Sequence, residues 1–123
     1  MLYVELVPRN VKELIDTTHK IKKQFPQVTG FNIPDILRLD NRSLDVCEEI
    51  LQEGYDAIPH IRTMDHSISD ITERINKLMR FGLKSVLLIS GDNPSNPFHS
   101  THKTKPTELC KHLQKELPTL RVN

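Results

Sequence analysis

Lys84-Ser85-Val86-Leu87-Leu88-Ile89-Ser90-Gly91-Asp92-Asn93-Pro94 is the stretch on which the fold turns. The apolar run Val86–Ile89, with the small Ser85 before it, is bounded by Lys84 and by a sharp stop. A short continuous apolar run of this kind reads as a strand buried on both faces, as in parallel sheets. The stop, Gly91-Asp92-Asn93-Pro94, is loop chemistry. A carboxylate leaving the C-terminal end of a buried parallel strand stands where α/β folds place their chemistry. Asp92 is therefore a candidate functional residue, and the competing reading is that Gly-Asp only turns the chain.

Outward from this strand, the chain repeats one unit. Leu2–Val7 alternates, with Leu2, Val4 and Leu6 on one side and Tyr3, Glu5 and Val7 on the other. Asn10 with Glu13 forms a capping box, and Val11, Leu14, Ile15, Thr18, Ile21 and Phe25 fall on one stripe of a helix over 11–25. Val28–Ile33 is a second strand, ended by Pro34-Asp35. Ser43 is a plausible cap for a second helix that Gly54 closes. Ala57–Arg62 is a third strand, with Pro59 predicting a bend or bulge. Ser67 and Asp70 cap a third helix carrying Ile71, Ile75, Leu78 and Met79, closed by Gly82. After the strand Lys84–Ser90 and a polar loop Gly91–Lys105, Pro106 opens a fourth helix with Leu109, Leu113 and Leu117 inward. Leu120–Asn123 has the look of a fifth strand beginning.

Strict β-α alternation with short turns predicts a parallel sheet with right-handed crossovers. Two architectures use it: an open doubly wound sheet, or the first four βα units of a (βα)8 TIM-type barrel, a partial barrel. The periods alone do not separate them. The 123 residues predict one domain, 1–123, large enough for a modest core.

Bulk properties narrow the function. Seventeen basic against sixteen acidic residues leave no nucleic-acid footprint and no polybasic membrane patch. No apolar run approaches the ~20 residues that span a bilayer. Met1 leads directly into an apparent strand, without a charged-then-apolar leader. Cys47 and Cys110, far apart and outside any CxxC pair, read as reduced thiols of a cytoplasmic protein. His99-x-x-His102 with Cys110 or His112 matches no closed zinc pattern, so no metal is expected. No GxGxxG or P-loop surrounds Gly91.

Each strand carries a polar residue near its C-terminal end: Glu5, Asn32, His60 and Asp92. In parallel strands these ends share one face. Glu5, opposite the apolar side of its strand, would face a barrel interior, where burial raises a carboxyl pKa and suits a general acid. His60 can donate to or accept from a ligand, and Asp92 can set a negative charge beside a cofactor or a developing cation. The plainer readings are that Glu5 pairs with Arg62 or Arg9 and that His60 is structural. The Met64-Asp65-His66 run leads into the third helix but follows strand three, on the same face.

Three short motifs then coincide. Val4-Glu5-Leu6-Val7-Pro8-Arg9, Pro59-His60-Ile61-Arg62-Thr63 and Ile89-Ser90-Gly91-Asp92-Asn93-Pro94 resemble, in order and spacing, the strand motifs of the methylenetetrahydrofolate reductase family of flavoenzymes. The resemblance implies an eight-stranded barrel with FAD at its C-terminal face. It implies hydride transfer from NAD(P)H through the flavin to 5,10-methylenetetrahydrofolate, giving 5-methyltetrahydrofolate in one-carbon metabolism. By the same resemblance Glu5 is the general acid that helps open the folate's one-carbon ring. Asp92 is the carboxylate near the flavin's pyrimidine edge, and Asn32, His60, Ile89, Ser90, Gly91 and Asp92 fall at FAD-contacting positions. Two places depart: Ser90 stands where the family has Arg, and Phe31-Asn32-Ile33-Pro34-Asp35 replaces Val-Thr-Tyr-Gly. The resemblance covers the strands of half a barrel. The remainder is expected either from a missing C-terminal half or from a homo-oligomer. Two other functions stay open: a non-catalytic binding or assembly module, and a folate- or corrinoid-linked methyl-transfer accessory protein.

Overall fold

A computed structural model describes residues 1–90 and 102–123. Gly91 and Asp92 lie outside the described residues, as does His99. The elements run β1 (Tyr3–Glu5), α1 (Val11–Gln24), β2 (Gly30–Ile33), α2 (Ser43–Gln52), β3 (Asp56–Arg62), α3 (Ile68–Met79), β4 (Ser85–Ile89), α4 (Pro106–Glu116) and β5 (Arg121–Val122). A 3-10 turn, Thr63–Asp65, follows β3.

Three helices start where capping chemistry predicts. Asn10 Oδ1 accepts from the Glu13 amide at 3.1 Å, and Ser67 Oγ from the Asp70 amide at 3.2 Å. Pro106 sits in the first turn of α4, where its missing N–H is harmless. Gly54 (φ 88°) and Gly82 (φ 106°) close α2 and α3 in the left-handed region. The start of α2 corrects the sequence reading. Its cap is Arg42, which gives no side-chain capping bond, and Ser43 is the first helical residue. The Ser43 hydroxyl is committed to the strands instead, and Asp35 Oδ1 accepts the Ser43 amide at 3.1 Å.

All strand pairs are parallel, and their order is β1-β2-β3-β4-β5. A doubly wound sheet reverses its order at a switch point. The described strands never reverse, so the open doubly wound alternative drops out. Sequential order with right-handed crossovers puts every helix on one face, consistent with part of a TIM-like fold. On that face Phe31, Ile33, Ala57, Ile61 and Val86 are buried against Leu14, Val46, Ile50, Ile71, Ile75, Leu78, Leu109 and Leu113. Each large side chain among these that is removed from water is worth roughly 1.5–3 kcal/mol, so this layer holds the fold together. On the opposite face Glu5, Asn32, Ile58, His60, Leu87 and Ile89 are half-buried or exposed, while Arg62 and Ser85 are buried.

Two strand details depart from expectation. Pro59 neither ends nor bulges β3; it pairs with Ile33 inside a continuous strand. β1 is shorter than the predicted Leu2–Val7, although its pairing runs on through Thr29 N–H to Leu2 C=O and Leu6 N–H to Asn32 C=O. At the other end of the same face, Gly30 lies between Tyr3 and Asp56 in register. The Tyr3 hydroxyl crosses over it to donate to Asp56 Oδ2 at 2.8 Å.

Candidate functional site

The C-terminal ends of β1 to β4 and the segments that follow them form the candidate site. Glu5 and Asn32 are register partners, and Asn32 is in turn opposite Ile58. His60 lies two residues beyond Ile58, so it shares that face, opposite Leu87 on β4. Ile89 is paired with Arg62. The strands thus bring Glu5, Asn32, His60 and Ile89 to one side of the sheet. Ser90 follows at the exposed end of β4, its carbonyl accepting from the Met64 amide at 3.3 Å. The positions of Gly91 and Asp92 relative to this row fall outside the described residues.

Glu5 is exposed rather than enclosed. The burial expected of a barrel-facing carboxyl is not supplied by the described residues, because β1 is an edge strand and nothing described faces it across the sheet. Arg62 does not answer it either: Arg62 Nε donates to Asp65 Oδ2 at 3.1 Å. His60 is half-buried, and loss of water pushes its pKa below 6.5 against the opposing pull of Glu5 and Asp35. It is therefore neutral at pH 7, one ring nitrogen a donor and the other an acceptor.

Behind this row is an ionic network that the sequence did not disclose. Arg42 Nε donates to Asp35 Oδ1 at 2.8 Å, and its Nη2 donates to both Asp35 Oδ2 at 2.5 Å and Asp65 Oδ2 at 2.6 Å. Asp35 is buried; burial alone would raise its pKa, but the Arg42 and Ser43 hydrogen bonds and the Arg42 charge bring it below 3.8. The same contact with Asp35 raises the pKa of Arg42. The network joins the ends of β2 and β3 to the start of α2. No spacing rule links Asp35 to Arg42 and to Asp65 beyond it; the available signal was only that Pro34-Asp35 and Met64-Asp65-His66 both follow strands.

The far end of the β4–α4 connection is pinned to the same place. Thr63 Oγ1 donates to the Thr104 carbonyl at 2.7 Å, and Thr104 Oγ1 to the His66 carbonyl at 2.8 Å. Met64 holds two separate points of the chain. Its N–H bonds Ser90, and its C=O accepts from the His102 amide at 2.8 Å. His66 is held neutral chiefly by burial, with Arg42 and His102 adding to the effect against Asp65 and Asp35. Between α2 and α3, a cleft of about 300 Å³ opens beside Arg42 and His66 over a floor of Leu44 and Ile71.

Comparison with known families decides the assignment. A profile of the methylenetetrahydrofolate reductase family matches residues 6–120, nearly the whole chain. The chain belongs to the methylenetetrahydrofolate reductase family. Family membership identifies it as oxidoreductase-like, and proteins of this family are generally flavin-dependent. The match starts at Leu6, one residue after Glu5, so the motif around Glu5 is only partly inside it. No curated protein matches the chain. Among the described residues, no helix is long and apolar enough to cross a membrane and no group of three or more His, Cys, Asp or Glu side chains could hold a metal ion.

Proposed function

We propose that this chain forms the flavin- and folate-facing strands of a reductase that converts 5,10-methylenetetrahydrofolate to 5-methyltetrahydrofolate with FAD and NAD(P)H. The observation that carries the reading is the open face of the sheet in a chain of this family. Half-buried Ile58, Leu87 and Ile89 lie there beside the polar Asn32 and a neutral His60. This combination fits FAD: an apolar bed suits a flat ring, and Asn32 and His60 offer both donors and acceptors to its polar edge. When bound, the flavin supplies hydride transfer. Closure of the sheet into a full barrel by further βα units is part of the proposal.

Within this reading His60, Asn32, Ile89, Ser90 and Gly91 orient the cofactor. Glu5 holds the proton delivered to the folate's one-carbon ring. Asp92 provides a fixed negative charge that favours the cationic form of the opened substrate. Ser90 and Asn32 replace residues typical of the family, which favours a second, narrower reading as a folate-binding accessory that has lost flavin chemistry. Titration with FAD separates the two. The first predicts a yellow complex with quenched flavin fluorescence; tetrahydrofolate binding with no FAD uptake at high micromolar concentration would overturn it and support the second.

A further inference from the structure

Ser43 was expected to cap α2, and it does something else. In a parallel pair, one residue bonds through both its N–H and its C=O to the neighbours of its partner. Asn32 serves β1 in this way, accepting from Leu6 N–H, so the alternate residues Phe31 and Ile33 serve β3. Ile33 is opposite Pro59, and its carbonyl should accept directly from the next amide, His60. The Ser43 hydroxyl reaches both of these groups from α2. It donates to Ile33 C=O and accepts from His60 N–H at 3.1 Å. The hydroxyl therefore ties both strands to the first turn of α2 at the point where His60 enters the site.

The tie is fixed from behind. Ser43 is fully buried, its amide bonds Asp35, and Asp35 is clamped by Arg42. Burial leaves no easy route for water to substitute, and each strand group would be costly to leave unpaired.

We infer that Ser43 is a positioning residue that sets how far His60 reaches across the C-terminal face, and so tunes its contact with the cofactor. The inference deepens the proposed function and rests on it for the identity of the ligand. Without the hydroxyl, the His60 backbone loses its tie to α2 and the ring shifts on the face.

The test compares wild type, Ser43→Ala and Ser43→Thr by FAD fluorescence titration and by NMR of the His60 amide and ring, assigned with His60→Gln. In Ser43→Ala the His60 resonances shift and FAD binding weakens by about tenfold, the size of one misaligned hydrogen bond. Ser43→Thr keeps the hydroxyl and restores both. Unmoved His60 resonances, or an FAD affinity equal to wild type, overturn the inference. If wild type itself takes up no FAD, the cofactor reading fails, and the role of Ser43 is decided by the His60 resonances alone. If Ser43→Ala does not fold, Ser43→Cys, similar in size but a weak acceptor, is read the same way.

Discussion

Arg42 and Asp35 meet at two points, Nε to Oδ1 at 2.8 Å and Nη2 to Oδ2, and the same Nη2 extends to Asp65. Removing the arginine leaves two carboxylates with 4% and 12% side-chain exposure facing each other without their shared cation. Arg42→Met should destabilise the fold by about 2–3 kcal/mol. That is the low end for breaking a buried pair, because the guanidinium is a third open to solvent, which screens it. Asp35→Asn should cost less, since Asp65 still serves Arg42. Urea unfolding of the two variants gives the ranking, and an Asp35→Asn loss exceeding that of Arg42→Met would contradict it.

Gly30 and Gly54 should respond to alanine for different reasons. A Cβ on Gly30 would stand 2.6 Å from the Asp56 carbonyl oxygen. Gly30→Ala therefore forces β2 and β3 apart, at about 1–3 kcal/mol. At Gly54 there is open space but a φ of 88°, so Gly54→Ala meets only the torsional penalty of about 1–2 kcal/mol. Thermal unfolding should show both losses. Amide exchange should report loosened β2–β3 bonds in Gly30→Ala alone.

Acid should weaken the fold in two separate windows. His60 and His66 have folded pKa values below 6.5, so the unfolded chain binds their protons more readily. Their contribution is complete above pH 6.5 and is lost as pH falls through the lower folded values. Asp35, depressed below 3.8, contributes above that pH and is lost only on further acidification. A denaturation series from pH 7.5 downward should show the first loss, and His60→Gln with His66→Gln should flatten it while leaving the second.

Thiol labelling should distinguish the two cysteines. Neither is in a disulfide. Cys47 is fully buried, and burial pushes its thiol pKa up, so it should resist maleimide until the protein unfolds. Cys110 is partly exposed and should label in the native state. Mass spectrometry should find a single adduct before urea and a second after it.

In the proposed reaction Glu5→Gln should lower kcat by about 10²–10⁴-fold, the usual contribution of a general acid. FAD affinity should be unchanged. Stopped-flow measurement of flavin reoxidation by the folate separates that loss from flavin reduction by NAD(P)H, which should proceed at the wild-type rate.

The architecture was legible because its signals are local. Apolar periodicity, Asn10, Ser67 and Pro106 as helix starts, and Gly54 and Gly82 as stops each act within a few residues. Choosing between a doubly wound and a singly wound sheet was beyond them, since strand order is a relation among distant segments. The site was legible only as a row of polar strand ends. Ser43 was misread because an N-cap and a buried first-turn serine carry the same sequence signal. The Asp35–Arg42–Asp65 network was missed because its members are joined through space. The exposure of Glu5 followed from its place on an edge strand, which alternation along the strand does not reveal.

The two bonds made by the Met64 backbone have a consequence for how this chain can change. Ser90 and His102 are both held at one residue, so the end of β4 and the lead into α4 depend on a single backbone position. A proline at Met64 would remove the N–H that Ser90 accepts, whereas a change of side chain there leaves both bonds in place. What evolution must keep at Met64 is therefore its peptide groups, and the identity of the residue is free to drift.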